Sequence, residues 1–125
     1  MSKSIISVPN APKLPFSPGV KAGDHIFISG QIGHIDPKTG DEIEGIEAQT
    51  RQCIENMREV LRSAGSDLSD VVKVTVFLRG ADDFVKMNEV YQSYFTGDLP
   101  ARSTVVTGLV IPGMLIEMEC VAYCP

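Results

Sequence analysis

The clearest pattern in the chain runs over residues 46–64. There Ile46, Cys53, Ile54, Met57, Val60, Leu61 and Ala64 recur at helical spacing while the other face is charged. This is the period of a helix with one apolar face, and Gly65 supplies the residue that ends it. Residues 70–78 change to a period of two, with Val72, Val74, Val76 and Leu78 on one face and Val71, Lys73, Thr75 and Phe77 on the other. Such alternation belongs to a strand. A second helix follows, capped by Asp82 or Asp83, with Phe84, Met87, Val90, Tyr91, Tyr94 and Phe95 along one side until Gly97 and Pro100 stop it.

Before the first helix, apolar stretches at 5–8 and 19–22 flank a proline-rich loop, 9–18, whose fixed φ angles and missing donors exclude helix. Both stretches are expected as edge strands. The run from His25 to Gly30 is β-branched and aromatic, and turn residues at 36–40 lead to a short strand near Glu42 and Ile43. Residues 103–107 and 115–124 are the last strands, joined through a turn containing Pro112 and Gly113. The order β-β-β-α-β-α-β-β describes an α+β domain with one mixed sheet, and right-handed crossovers can put both helices on the same face. On the last strand Ile116, Met118, Cys120 and Ala122 make the cleaner apolar row for the helices. Leu115, Glu117, Glu119, Val121 and Tyr123 are then left on the bare face, together with Val71, Thr75 and Phe77. A bare face this apolar is more typical of a subunit interface than of open surface, with a half-polar face turned to water as the plainer alternative.

Bulk properties narrow the function. The 125 residues make one domain, 1–125, large enough for a single core. A net charge of −5, with the eleven basic residues scattered, weighs against a nucleic-acid partner. No apolar run approaches the roughly 20 residues of a membrane span, and the N-terminus has no continuous apolar signal segment, so a cytoplasmic protein is expected. Cys53, Cys120 and Cys124 cannot all pair in one chain and read as reduced thiols. His25 and His34 lack a third ligand for a metal, and no glycine-rich phosphate loop or other cofactor motif is present. The expectation is a site with no metal and no cofactor.

Candidate chemistry lies towards the C-terminus. Arg102, at a strand entrance after Pro100, can present its guanidinium fork to a carboxylate in two-bond fashion, and on spacing alone a solvated or salt-bridged surface arginine is the stronger reading. Glu117 and Glu119 point to one side of their strand, where they could also be a polar sheet face paired with Lys73.

Several runs carry a family resemblance: Ile28-Ser29-Gly30-Gln31-Ile32-Gly33, the segment from Phe84 to Tyr91 ending in Tyr94-Phe95, and Pro100-Ala101-Arg102-Ser103 with Ile116-Glu117-Met118-Glu119. Together, in order and nearly end to end, they resemble the reactive intermediate deaminase (RidA/YjgF) family. The resemblance implies a chorismate-mutase-like fold, two helices on one face of a mixed sheet, assembled as a homotrimer whose sheets form a central barrel with three sites between subunits. It implies hydrolysis of enamine or imine intermediates, such as 2-aminoacrylate released by pyridoxal-phosphate enzymes, to 2-keto acids and ammonia. By position, Arg102 would grip the substrate carboxylate and Glu117 would activate water and shuttle protons. Ser29 and Gly30 would line the pocket, and Asn88 would brace it. Phe16 stands where tyrosine is frequent and Thr104 where cysteine is frequent, and the stretch Leu109-Val110-Ile111-Pro112 is more apolar than the usual charged turn. None of these touches the arginine and glutamate. A binding module that senses 2-keto acids or related carboxylates is the rival reading, needing Arg102 but not Glu117. An endoribonuclease, a label attached to the family, is disfavoured by the acidic charge.

Overall fold

In the computed structural model, which describes residues 2–9 and 11–125, two helices pack on one face of a six-stranded sheet. The strands are β1 (Ser4–Ile6), β2 (Gly19–Ala22), β3 (His25–Ile32), β4 (Val71–Leu78), β5 (Ala101–Val106) and β6 (Ile116–Tyr123), ordered β1-β2-β3-β6-β4-β5. Helix α1 (Ile46–Ser63) joins β3 to β4, and α2 (Phe84–Tyr94) joins β4 to β5. All neighbours are antiparallel except β4 and β5, which α2 connects as a parallel crossover.

The apolar stripe expected over 46–64 is the one α1 buries, since Ile46, Cys53, Ile54, Met57, Val60 and Leu61 are all in the core. Gly65 ends the helix in the left-handed conformation at φ 79°, and Ser66 N–H returns to the Leu61 carbonyl at 2.9 Å. A single row crosses the helix-facing side of the sheet by register: Ile6, Gly19, Ile28, Cys120, Val74 and Arg102. Its first five members are buried. Ile116, Met118, Cys120 and Ala122 face the helices as expected. The other face keeps apolar groups in the open: Ile5 is 54% exposed and Phe27 48%, with Tyr123 and Val105 close behind.

The structure corrects four expectations. Val71 is buried and Val72 exposed, because β4 carries a bulge between Val71 and Lys73 that shifts the alternation by one residue. Only β1 and β5 are edges, and β2 is covered on both sides. Neither Asp82 nor Asp83 caps α2 with its side chain, since a 3₁₀ turn, Ala81–Asp83, holds Asp83 at helical angles where its carboxylate cannot reach back. The strand near Glu42 is a single bridge to Ile35. The turn expected at Pro112 and Gly113 is present within the loop 107–115, which joins two strands that β4 separates.

Two polar side chains, the buried Gln49 and the exposed Arg79, fasten that loop through its backbone. The Gln49 amide donates to the Ile43 and Gly113 carbonyls, each at 2.9 Å, and accepts from Leu115 N–H at 2.9 Å. Arg79 Nε donates to the Met114 carbonyl at 2.6 Å, and its Nη2 donates to the carbonyls of Leu109 and Ile111.

Candidate functional site

Glu117 is the second residue of β6 and stands opposite Phe77 of β4 and Ile32 of β3, on the face away from the helices. Between Ile28 and Gln31, β3 holds one residue more than β6, and this bulge is formed at Ser29 and Gly30. The Glu117 carboxylate lies directly against Gly30, where a Cβ would overlap Glu117 Oε2 and sit 3.0 Å from its Cδ. Glycine is therefore what makes room for the carboxylate. Burial, and secondarily the charge of Glu119, hold the Glu117 carboxyl above its ordinary value of 4.5. No cation among the described residues offsets this. Among the described residues the ion pairs join Arg58 to Glu55 and Asp67, and Arg62 to Asp67. Lys73 does not pair with either glutamate, and its ammonium donates to Ser103 Oγ at 2.8 Å.

The Ser29 hydroxyl has a structural task. It donates to the Ser17 carbonyl at 2.6 Å, and Ser29 N–H donates to the Pro18 carbonyl at 3.0 Å. These bonds tie the proline-rich loop to the bulge, so Phe16, 56% exposed, is carried on a loop anchored beside Gly30. Glu117, Gly30, Ser29 and the Phe16 loop thus form one group.

Arg102, Thr104 and Asn88 form another. Arg102 pairs in register with Val74 and Thr104 with Val76, both buried under the helices, so both side chains leave β5 on the helix side. The Arg102 guanidinium lies 4.7 Å from the Tyr91 ring centre and 5.8 Å from that of Phe84. Phe84, Asn88 and Tyr91 are spaced four and three apart on α2 and form one stripe, which places Asn88 between the two rings. Sequence reading assigned Phe84 and Tyr91 to the core side of α2 and missed their contact with Arg102. The signal for it was their shared stripe with Asn88.

Within one copy, then, Arg102 and Glu117 leave opposite faces of the sheet on strands separated by β4. A single small molecule cannot touch both in one copy. Burial raises the Cys120 thiol to about 12 and the Cys53 thiol still further, so both are protonated at neutral pH and neither is a thiolate nucleophile. All three cysteines are free. No cluster of three His, Cys, Asp or Glu able to hold a metal ion occurs among the described residues. No helix is long and apolar enough to cross a membrane.

Comparison with known proteins agrees with this architecture. A family model described as Endoribonuclease L-PSP matches residues 7–124. A RutC family protein of Pyrococcus horikoshii is 49% identical over 124 residues, covering 97% of this chain and 98% of that protein. The protein named 2-iminobutanoate/2-iminopropanoate deaminase in Salmonella typhimurium is 39% identical over 127 residues, covering 98% of each chain. Among solved structures, E. coli TdcF with bound serine superposes with a TM-score of 0.89 at 32% identity, covering 98% of this chain and 99% of that one. With the match spanning nearly every residue of the sheet and both helices, the chain belongs to the Endoribonuclease L-PSP family, the RidA/YjgF family of reactive intermediate deaminases.

Proposed function

We propose that the chain is a cofactor-independent deaminase that hydrolyses 2-imino acids, such as 2-iminobutanoate and 2-iminopropanoate, to 2-keto acids and ammonia. The observation that carries the reading is the Glu117 carboxylate, unpaired with any cation among the described residues and held over Gly30 with its proton affinity raised. A carboxylate tuned towards neutrality can take a proton and return it within one turnover. Glu117 accepts a proton from water as the water oxygen bonds to the imine carbon, and the C=N π pair moves to nitrogen. Glu117 delivers that proton to the nitrogen and then carries the hydroxyl proton to the same nitrogen, so that the C–N bond breaks to release ammonia as the ketone forms. Water is the only co-reactant.

Arg102 would hold the substrate carboxylate by a two-bond fork, and Asn88, beside it on α2, would brace the guanidinium. Phe16 and Thr104 would line the pocket as apolar and small polar walls. Because Arg102 and Glu117 diverge in one copy, the site is built from two, and the exposed apolar face of the sheet suits burial in a homotrimer whose sheets enclose a central barrel. The name of the Salmonella relative supports the reaction, and serine on TdcF supports recognition of a carboxylate beside a nitrogen-bearing carbon. Free thiols suit the cytoplasm. A net charge of −5 counts against RNA as the substrate, despite the family description.

The test mixes two dead variants. Arg102→Ala and Glu117→Gln, each assembled alone, lose imine hydrolysis generated by a coupled threonine dehydratase. Unfolding and reassembling them together in equal amounts restores roughly a quarter of wild-type activity, the fraction of shared sites with both groups intact in randomly mixed trimers. Confirmed hybrid trimers without recovery would refute a shared site. Wild-type protein that binds 2-keto acids yet leaves imine decay at the buffer rate would make the chain a sensing module.

A further inference from the structure

Arg102 is held in an unusual way for a half-exposed arginine: its guanidinium lies over two aromatic rings, and it forms none of the ion pairs among the described residues. Tyr91 is buried and stacks on Phe95, ring centres 4.4 Å apart and 27° between planes, so the nearer face is backed by a second ring in the core. Phe84, 41% exposed, offers the outer face. A guanidinium that rests on π faces keeps its N–H groups, which lie in its own plane, free at the edge. That edge is where a carboxylate binds with two parallel bonds.

We propose that Tyr91 and Phe84 are positioning residues that orient the Arg102 guanidinium for two-bond capture of the substrate carboxylate. The inference rests on the reading of Arg102 as the carboxylate grip. Tyr91 acts through its ring, because its hydroxyl is buried without a hydrogen-bond partner among the described residues and so holds nothing in place. The cradle selects a planar, two-oxygen acceptor approaching in the guanidinium plane. It also accounts for an arginine at this position, since a lysine ammonium has no plane to be oriented.

The experiment measures binding of 2-oxobutanoate by calorimetry, with trimer mass and melting temperature recorded for every variant. Tyr91→Leu weakens binding by about tenfold, and Phe84→Leu by about threefold. Tyr91→Phe stays within about twofold of wild type, because the ring face is preserved. In an Arg102→Ala background, itself much weaker, neither leucine substitution changes affinity further. Phe84 is exposed enough that its variant folds even if Tyr91→Leu does not. If the leucine variants weaken binding equally with and without Arg102, or if Tyr91→Phe is as weak as Tyr91→Leu, the rings do not act through the guanidinium and the proposal falls. If Arg102→Ala weakens binding while both leucine variants bind as wild type, the cradle alone is wrong. If Arg102→Ala itself binds normally, the carboxylate grip is wrong and the cradle falls with it.

Discussion

Replacing Gly30 by alanine is the smallest change that reaches the Glu117 carboxylate without altering it. Gly30 is not among the residues with positive φ, so its backbone accepts alanine and the effect comes from the added methyl alone. The methyl would lie 3.0 Å from Glu117 Cδ and 3.3 Å from Cγ, and would overlap Oε2. Comfortable carbon contacts begin at about 3.5–4.0 Å, so the carboxylate must retreat by roughly half to one ångström. Overpacking of this sort costs about 1–3 kcal/mol, and here the lower end applies because the obstructed group ends a flexible, half-exposed side chain. The fold therefore survives. The proposed imine hydrolysis does not, since a misplacement of about 1 Å at the reacting centre costs on the order of a hundredfold, or about 2.7 kcal/mol of barrier. The assay couples threonine dehydratase to the variant and follows capture of the released imine by an amine trap in competition with hydrolysis. In a Glu117→Gln background the same alanine should cost little more, because the group it displaces no longer works. Wild-type turnover by Gly30→Ala would refute the argument, because the carboxylate position seen here would then not be the working one.

Three further outcomes follow from the same geometry. Phe27→Glu, on the exposed sheet face, should leave the fold intact but reduce the proposed assembly of three 13.5 kDa chains to monomers by light scattering, and a wild-type protein that is monomeric at micromolar concentration would count against the proposed interface itself. Gln49→Leu removes three hydrogen bonds and should cost about 2–3 kcal/mol, seen as a melting temperature lower by roughly 10 °C, whereas an unchanged value would mean the loop holds without it. The raised Glu117 carboxyl keeps its proton to higher pH in the folded chain than in the unfolded one, so its stabilising contribution is complete below about pH 4.5 and is lost as pH rises through the elevated native value. Glu117→Gln should therefore match the wild type in melting temperature near pH 4 and exceed it at pH 7, and a gap of the opposite sign would show that the native carboxylate is favoured.

The parts of this fold visible in the sequence are those with an uninterrupted period. The stripe of α1 and the alternation of β6 each follow one rhythm over their whole length, and both place their residues on the expected faces, Glu117 included. An inserted residue leaves no trace in composition, which is why the bulge at Val72 exchanged the faces of Val71 and Val72 unseen. The bulge at Ser29 and Gly30 was hidden for the same reason, although its residues were named as pocket lining. The contact of Gly30 with Glu117 depends on how β3 and β6 register, and the contact of Arg102 with Tyr91 on how α2 lies over β5. Periodicity within one element is silent about both. The divergence of Arg102 and Glu117 needed strand order as well, since nothing local reveals that β4 stands between β5 and β6.

Gln49 and Arg79 grip the loop 107–115 through the peptide groups of Leu109, Ile111, Gly113, Met114 and Leu115, and only at its end do side chains, those of Met114 and Leu115, enter the packing. A peptide group is the same whichever side chain it bears, so the path of residues 109–112 is insured against their own side chains. Val110, 90% exposed, and its neighbours Leu109, Ile111 and Pro112 can change in size or charge at little cost to folding. Selection can thus act on the character of this rim, which leads directly into the strand that carries Glu117, while the scaffold stays constant. The apolar rim in this chain is one setting of a surface that evolution is free to retune.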